Sequence, residues 1–576
     1  MIAALALALT QAAPIHASLH PPGVVVYAEV PDVAATLANL EGSPLARLLR
    51  DERMKGLIEK IGLPVASTLA DAALGGLVSA IPNAKAQDWF GQVRTFSLSA
   101  GSPLKEGDLQ PPLQVVLDFV GEGPAGVFVS GLLASADKHE PASGPWPGLE
   151  NLTLGGGAPG LWCGRVGARC FLGTLDLPPT EVAARAAGST SGFDADELQK
   201  NREGWMPEAP GAPVMWLAFH MPDSEKLKSF TPIGIPMPFG DHWLERLTFH
   251  DGRFVTDILS TETTEGTRPV DPTWLDPVLA GSMLVYTRAI DGPTAAKLLR
   301  ELLAKSESAS AAMKALEEKL GYGLERPLAR LGPGMSAFMA PLAGMGLPDT
   351  RMWIDCDDPA AFASEIEALV NAFGATQPGY EAKTKPYKVK LKDSEDKKEV
   401  PITTITLPND LIQVPMISIS PSFAPVGKKL VFAFSSMDLK NELKRAYSGE
   451  ASAPGAKPLS AFGFEPPSEA LSVVVMDWGK LLDSVSSTVK LIAGMAGGSS
   501  GIDPKLFPPA GIFSEFFKPT FHYSKKTPKG LVRRNEGSFG PETWFGLVGG
   551  AWLGKQRFKG ATGAASGFSI PPAGGK

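Results

Sequence analysis

One arrangement of apolar and polar residues recurs along the whole chain. A short run of β-branched and aromatic residues ends at an aspartate or a proline, and an amphipathic helical pattern follows. The first example runs from Val24 to Asp32 and continues into a predicted helix over 33–40. Asp32 is expected to cap that helix, because its carboxylate can accept hydrogen bonds from first-turn amides. Gly42 is expected to end it in the left-handed conformation.

The same unit of strand, Asp or Pro, and helix recurs at 170–187, 214–230, 284–303, 352–373, 430–447 and 471–493. Short strands mixed with helices, with no glycine fingerprint after a strand, are typical of α+β proteins rather than doubly wound ones. We therefore predict an α+β fold of twisted, mainly antiparallel sheets, each with its helices packed on one face.

Residue spacing indicates two tandem copies of one module. Four landmarks of the first half recur 259 residues later: Tyr27, Asp32, Phe171 and Val214, which match Tyr286, Asp291, Leu430 and Val473. The tripeptide Thr-Phe-His occurs at 248–250 and again at 520–522. Repeated units of this size can stack or pair with one another. We expect a first α+β module over 20–265 and a second over 278–553.

Two segments lie outside the repeat. Residues 383–407 of the second module predict an inserted β-hairpin, because period-two alternation flanks a polar turn. Its residues Lys388, Lys390 and Lys392 are typical of an edge strand that resists unwanted pairing, and a docking site for an acidic partner is the alternative. Residues 554–576 are rich in Gly, Ala and Pro and predict a flexible tail.

The opening strand and cap Val26–Val33, the helical segment Ser43–Met54 and the strand–Asp–helix units of both halves resemble a family of exported bacterial proteins of unknown function. Members of this domain-of-unknown-function family are several hundred residues long, follow a signal peptide, and alternate short strands with helices. The resemblance covers most of residues 20–550. It implies an extracytoplasmic location and supplies no activity or catalytic residue.

The N-terminal segment is consistent with export. Residues 1–17 are apolar, rich in small residues and too short to span a bilayer, so they predict a signal segment. Cleavage after Ala13 or Ala17 would start the mature chain near Pro14 or Ser18. No Lys or Arg precedes the apolar run, so an upstream start and a buried N-terminal segment are the alternatives. No later segment has a transmembrane pattern, and we predict a periplasmic or secreted protein.

Composition and motifs narrow the function classes. The chain has 576 residues, 44% apolar and 20% charged, with a net charge of −7. Without a cluster of Lys and Arg, nucleic acid is not expected as a partner. No His-Glu-x-x-His motif occurs, and we expect no nucleophile elbow of the Gly-x-Ser-x-Gly type. We therefore predict no catalytic residue, no cofactor and no metal site, and we expect His250 and His522 to share a structural role.

Two cysteines lie close together in the sequence. Cys163 and Cys170 flank a predicted four-residue turn over 165–168, which would place them opposite each other on a hairpin. In an oxidising compartment they could form a cross-strand disulfide. Two half-buried free thiols are the alternative.

Two apolar loops occupy matching places in the predicted copies, at 232–243 and 506–517. Their prolines exclude central strands, yet the loops are more apolar than ordinary solvent loops. Such loops could line a groove, dock a partner, or fold over the sheet as a plug. The side chains available for an apolar ligand or partner are Ile233, Ile235, Met237, Phe239, Trp243, Phe507, Phe513, Phe516 and Phe517.

These patterns favour a non-enzymatic binding or scaffold protein of the cell envelope, whose partner would be an envelope protein or an apolar ligand. The first alternative is a carrier or chaperone of apolar ligands that uses the two loops. The second is a hydrolase whose site is assembled from residues far apart in the sequence.

Overall fold

The computed structural model describes residues 16–22, 24, 26–61, 91–101, 112–153, 160–190, 192–193, 213–220, 242–260, 268–279, 281–304, 307–323, 325–340, 349–375, 377–391, 395–408, 419–448, 459–495, 504–528 and 530–539. We call the part up to Ser260 the first half and the part from Arg268 the second half. Of the predicted segments, residues 1–15 and the tail 554–576 lie outside these ranges.

Twenty strands are found in the described residues, ten in each half. Those of the first half are β1 Val26–Val30, β2 Val93–Ala100, β3 Leu113–Phe119, β4 Lys138–Pro141, β5 Glu150–Thr153, β6 Leu161–Val166, β7 Arg169–Thr174, β8 Pro213–His220, β9 His242–His250 and β10 Arg253–Ser260. Those of the second half are β11 Leu284–Ala289, β12 Leu331–Met339, β13 Thr350–Cys356, β14 Glu381–Lys390, β15 Lys397–Thr406, β16 Ser422–Val426, β17 Lys429–Ala433, β18 Ser472–Met476, β19 Thr520–Thr527 and β20 Gly530–Gly537.

Twelve α-helices are found in the same ranges. They are α1 Val33–Gly42, α2 Pro44–Leu49, α3 Lys55–Ile61, α4 Glu122–Ser135, α5 Pro179–Ala186, α6 Gly292–Ala304, α7 Glu307–Leu320, α8 Glu325–Ala329, α9 Pro359–Gly374, α10 Ser436–Ser448, α11 Trp478–Met495 and α12 Ile512–Phe516.

Aspartate caps begin several helices where the sequence predicts them. Asp32 accepts a hydrogen bond from the Ala35 amide at 2.9 Å, and Asp358 accepts one from the Ala361 amide at 3.0 Å. The prediction for Gly42 is wrong in its detail. Gly42 is the last residue of α1 and is not left-handed, and the chain leaves the helix through an extended residue that also caps α2.

All twenty strands belong to one continuous sheet in which every pairing is antiparallel. From one edge to the centre, the first half pairs in the order β4, β5, β6, β7, β3, β2, β1, β8, β9, β10. From the other edge, the second half pairs in the order β14, β15, β16, β17, β13, β12, β11, β18, β19, β20. The two orders are the same position by position, and β10 pairs with β20 at the centre.

Side chains from eight neighbouring strands form one row across the middle of the sheet. We call the face that carries this row the front face, and its residues are Glu29, Trp216, Arg246, Asp257, Arg534, Tyr523, Val473 and Thr287. The opposite side is the back face. Adjacent residues of a strand point to opposite faces, so the register assigns each residue to one of them.

Helices cover both faces of the sheet, so the prediction of helices on one face is wrong. In the first half, α4 packs on the back face around Leu117 and Cys170, whereas Val182 of α5 packs on the front face against Val116 and Phe171. The second half repeats this arrangement with α9 on the back face and α10 on the front. The strands are apolar on both sides, and each apolar face needs a cover.

Asp32 and Asp291 both cap the helix that follows their strand, but two other pairs of sequence landmarks do not occupy equivalent places. Tyr27 lies two residues from Glu29 and is on the front face, whereas Tyr286 adjoins Thr287 and is on the back face. A register difference of one residue reverses the face of a side chain. The Thr-Phe-His tripeptide ends β9 but begins β19. The expected match of His250 with His522 is therefore wrong.

The predicted hairpin is present as β14 paired with β15, but it is not an insertion, because it occupies the edge position that β4 and β5 occupy in the first half. Strand β14 pairs on one side only, among the described strands, and forms an edge of the sheet. Lys388 and Lys390 are exposed, while Val389 packs into the core beside Leu443 of α10. Lys392 lies outside the described residues. The alternation of basic and apolar residues thus corresponds to a solvent face and a core face.

The two halves also make contact through helices. Leu48 of α2 and Ile58 of α3 pack against Ile512 of α12 and the adjacent Phe517. Arg53 forms an ion pair with Glu515 at 2.7 Å on the rim of this cluster. Among the described helices, none combines the length and apolar character needed to span a bilayer.

Candidate functional site

A short N-terminal strap crosses the front face of the first half. It consists of residues 16–20, with a 3₁₀ turn over Ala17–Leu19. His16 and His20 are completely buried. The Leu19 carbonyl anchors the strap, because it accepts hydrogen bonds from Gln114 at 3.0 Å and from Arg185 at 3.1 Å. The last residues of the predicted signal segment are therefore part of the packed first half.

Five side chains form a continuous hydrogen-bond chain under the strap. Asp118 Oδ2 lies 2.9 Å from His16 Nε2, and His16 Nδ1 lies 2.9 Å from Ser97 Oγ. Ser97 Oγ lies 2.8 Å from His20 Nε2, and His20 Nδ1 lies 2.7 Å from Ser99 Oγ. The strands bring the serines together, since Ser97 and Ser99 alternate along the front face of β2 and Asp118 lies on neighbouring β3.

The hydrogen-bond chain has one direction when both imidazoles are neutral. The ionised Asp118 carboxylate only accepts, so His16 donates from Nε2 and accepts from Ser97 at Nδ1. Ser97 then accepts from His20 Nε2, and His20 Nδ1 accepts from Ser99. Burial, followed by the nearby His16 and Arg185, lowers the pKa of His20 to about 3, which keeps its ring neutral.

A buried carboxylate lies beside this chain. Glu29 accepts a hydrogen bond from the His16 backbone amide at 2.9 Å and another from the Tyr27 hydroxyl. Burial and the neighbouring Glu29 raise the pKa of Tyr27 well above its usual range, so the phenol stays protonated and donates. Glu29 is opposite Ser97 in the β1–β2 register. A carboxylate, a phenol, two imidazoles and two hydroxyls are thus packed together in the core of the first half.

The hydrogen-bond chain reaches a first cleft at Asp118. Arg169 donates to both carboxylate oxygens, from Nε at 2.5 Å and from Nη2 at 2.8 Å. Burial alone would raise the pKa of Asp118, but the hydrogen bonds from Arg169 and His16 outweigh it and hold the pKa below its ordinary value. Asp118 therefore remains an anion whose charge is neutralised by a bidentate guanidinium.

The first cleft has a volume of about 570 Å³. Its apolar lining includes Trp146 and Phe171, whose rings stack 4.8 Å apart, and Ala183 and Ala186 from the end of α5. Arg94, Asp118 and Arg169 supply the polar part of the lining. Sites for small molecules are typically clefts of about 300–1,000 Å³ with apolar walls and a few polar groups.

A second cleft, of about 400 Å³, lies at the other end of the hydrogen-bond chain. Ser99 and Gln114 line it, together with Pro21 of the chain that leaves the strap and Glu181 of α5. The hydrogen-bond chain therefore runs from one cleft to the other through the buried side chains of His16, Ser97 and His20.

The second half has a less polar core at the equivalent place. Thr287 and Ser336 pair as Glu29 and Ser97 do, and the residues two positions along the same strands are Val285 and Phe338 in place of Tyr27 and Ser99. The strap is replaced by the segment with Leu275 and Val278, which pack against Val285 and Phe338. The strands of the two halves pair in the same order, but the chain of histidines and serines is found in the first half.

The ion pair at the first cleft does have a counterpart. Asp355 is opposite Lys429 on β13 and β17, as Asp118 is opposite Arg169 on β3 and β7, and their charged atoms are 3.4 Å apart. Neither of the two clefts is lined by Asp355 or Lys429. The helix α10 has 13 residues against 8 in α5, and its Leu443 packs with Val389 of the long hairpin into the core.

The predicted pair of cysteines lies on the β6–β7 hairpin with a different turn. Val166 is opposite Arg169, so the turn has two residues, and Cys163 is opposite Leu172 rather than Cys170. The four-residue turn is therefore wrong. Both cysteines are buried free thiols, and the structure contains no bond between them. Burial raises the pKa of each thiol to about 12.

The residues of the two apolar loops are only partly within the described ranges. Ile233, Ile235, Met237 and Phe239 lie outside them, and Trp243 is a residue of β9. In the other loop, Phe513, Phe516 and Phe517 belong to the cluster that joins the halves, and Phe507 follows the 3₁₀ turn Pro504–Leu506. These three phenylalanines thus pack against other parts of the same chain, which is closest to the plug among the three alternatives for the loops.

Sequence reasoning missed the strap and the hydrogen-bond chain. His16 and His20 have His-x-x-x-His spacing, which the prediction overlooks because it assigns residues 1–17 to a signal segment. Both rings bond serine or aspartate side chains. Among the described residues, no group of three His, Cys, Asp or Glu side chains is arranged to hold a metal ion. The alternating Ser97 and Ser99 in an otherwise apolar strand are the second signal.

Comparisons with known proteins give little guidance. No protein-family model and no curated protein matches the chain. Two solved structures, crystal forms III and I of TP0453, match with TM-scores of 0.25 and sequence identities of 8% and 9%. Each alignment covers 43% of this chain, and 80% or 79% of the other. A similarity this low carries no argument about fold or function, and the resemblance to an exported family stays a prediction.

Proposed function

We propose that this chain is a non-enzymatic binding protein of the cell envelope whose ligand site is the first cleft. The second half and the continuous sheet then serve as its scaffold. The observation that carries the proposal is the difference between the halves: their strands pair in the same order, but the polar network and the cleft belong to the first half.

The energetic cost of the network supports a role beyond stability. Burying a hydroxyl or an amide costs about 1–3 kcal/mol when its hydrogen bonds are imperfect, and burying a carboxylate costs more. The second half has Val285 and Phe338 where the first half has Tyr27 and Ser99, so the described residues form no histidine–serine chain at that place. The network holds the ionised Asp118 and its partner Arg169 in the lining of a cleft. A role in binding would explain why the chain keeps these buried polar groups.

We infer in addition that the two halves descend from duplication of one module, with predicted boundaries of 20–265 and 278–553. The shared pairing order of ten strands supports this inference more strongly than the sequence landmarks, two of which lie on opposite faces. A duplicated scaffold allows one copy to keep an apolar core while the other acquires a binding site.

Saturation-transfer NMR with a library of small aromatic, aliphatic, anionic and cationic compounds tests the proposal. We expect ligands that bind the natural protein and are lost in Ala186→Trp, which fills the first cleft. Thr180→Trp is the matched control, because Thr180 is exposed on the same helix and lines neither cleft. If every ligand found binds both variants alike, the first cleft is not the binding site and the proposal is wrong.

A hydrolase is the second candidate, because Asp118, His16 and Ser97 form an acid–base–serine sequence of hydrogen bonds. The buried position of the Ser97 side chain disfavours it, since a substrate carbonyl must reach the nucleophile. A fluorophosphonate probe decides between the candidates. Labelling that disappears in Ser97→Ala but persists in Ser189→Ala, an exposed control, would support the hydrolase and contradict the binding protein.

A further inference from the structure

We infer that the first cleft binds a planar aromatic molecule with one anionic substituent, such as an aromatic carboxylate or sulfonate. This inference rests on the proposed function and names its ligand class. The aromatic body would lie along the apolar lining, and the anion would lie at Arg94.

The shape of the apolar lining indicates an aromatic body. Trp146 stacks on Phe171 with an angle of only 6° between the rings, and Trp146 is partly exposed. A flat group can extend this stack with an offset geometry, which is worth about 0.5–1.5 kcal/mol beyond the buried area. The small side chains of Ala183, Ala186 and Ala187 in the same lining leave room for a flat ligand.

The charges of the lining indicate an anion. Two arginines and one aspartate line the cleft, and Asp118 is already satisfied by Arg169 and His16. Arg94 is exposed and therefore supplies the excess positive charge. A cationic ligand would have to compete with Arg169 for Asp118. A carboxylate or sulfonate would instead pair with Arg94 without disturbing the hydrogen-bond chain.

Isothermal titration calorimetry with three probes of similar size tests the ligand class: naphthalene-2-sulfonate, 2-naphthylmethylammonium and octane-1-sulfonate. We expect naphthalene-2-sulfonate to bind at least tenfold more tightly than either of the others. The aromatic cation tests the charge, and the aliphatic sulfonate tests the stacking. Equal or tighter binding of either comparison probe would overturn the inference.

Variants locate the binding. Arg94→Met should weaken naphthalene-2-sulfonate at least tenfold, whereas Arg165→Met, which removes an arginine bonded to the Glu122 and Gly167 carbonyls, should leave it unchanged. Ala186→Trp should abolish binding, and Ala187→Trp provides a second block should the first variant not fold. Sulfonate binding that survives both blocks lies elsewhere and overturns the inference.

The outcomes separate this inference from the proposed function. If library compounds of another class bind and are lost in Ala186→Trp, the binding protein stands and the aromatic anion is wrong. If no compound in the library depends on the cleft, both are wrong.

Discussion

Asp257 of β10 and Arg534 of β20 lie directly opposite each other at the midpoint of the central strand pair. Their side chains form a bidentate ion pair, with distances of 2.6 and 3.0 Å, and Arg246 bonds the same carboxylate at 2.7 Å. Asp257 is almost completely buried. The two halves of the sheet are thus joined by a buried carboxylate from one half and a guanidinium from the other.

Replacing Asp257 with Ala should strongly destabilise the protein, because it leaves the buried Arg246 and the mostly buried Arg534 without their shared anion. We expect a loss of about 3–5 kcal/mol in the free energy of unfolding, measured by urea denaturation. Glu140→Gln is the control, since the Lys138–Glu140 pair is exposed and such pairs contribute little to stability. A loss below about 1 kcal/mol for Asp257→Ala would contradict a structural role for this pair.

Stability should fall as the pH is lowered from 6.5, because His20 is protonated in the unfolded chain and neutral in the fold. Its pKa is lowered from 6.5 to about 3, so the unfolded state binds the extra proton throughout that interval. The slope attributable to His20 is at most about 1.4 kcal/mol per pH unit. Below about pH 3 the folded state binds the proton as well, so His20 adds no further slope and its destabilising effect is complete.

Urea denaturation at pH 7, 6 and 5 measures this slope. His20→Gln should flatten it, and His139→Gln should not, because His139 is about half exposed. An identical slope in the natural protein and in His20→Gln would show that His20 is not buried in its neutral form.

Truncation should distinguish the two predicted cleavage positions. A chain that starts at Pro14 retains His16, whereas one that starts at Ser18 loses its bonds to Asp118, Ser97 and Glu29. Hydrogen bonds that involve charged groups contribute about 1.5–3 kcal/mol each. We therefore expect the shorter chain to be less stable by at least about 2 kcal/mol.

Chemical denaturation of the two truncated chains measures this difference. N-terminal sequencing of protein recovered from a periplasmic or culture fraction would show which cut is made, and we predict the one after Ala13. Equal stability of the two chains would mean that His16 contributes nothing to the first half.

The thiols of Cys163 and Cys170 should not react in the folded protein. Burial raises the pKa of both thiols to about 12, so the reactive thiolate is scarce at pH 8 and the sulfur atoms are inaccessible. Titration with Ellman's reagent should detect both only after unfolding in guanidinium chloride. Two missing thiols in the unfolded, unreduced protein would reveal a disulfide and contradict the register of the hairpin.

The sequence determined much of the secondary structure of this protein. Asp32 and Asp358 predicted helix starts, because capping depends on residues only three positions apart. The hairpin at 383–407 followed from alternation, which is equally local. These features need no knowledge of distant neighbours, so a linear pattern is sufficient to predict them.

Only the tertiary structure decided the register, the faces and the site. Tyr27 and Tyr286 look alike in the sequence but lie on opposite faces, because one-residue differences in strand register are invisible to spacing alone. The hydrogen-bond chain joins residues about a hundred positions apart, such as His16 and Asp118. The sequence alone does not tell a histidine buried in a core from a histidine in a signal segment. The contacts of His16 with β1, β2 and β3 make that distinction.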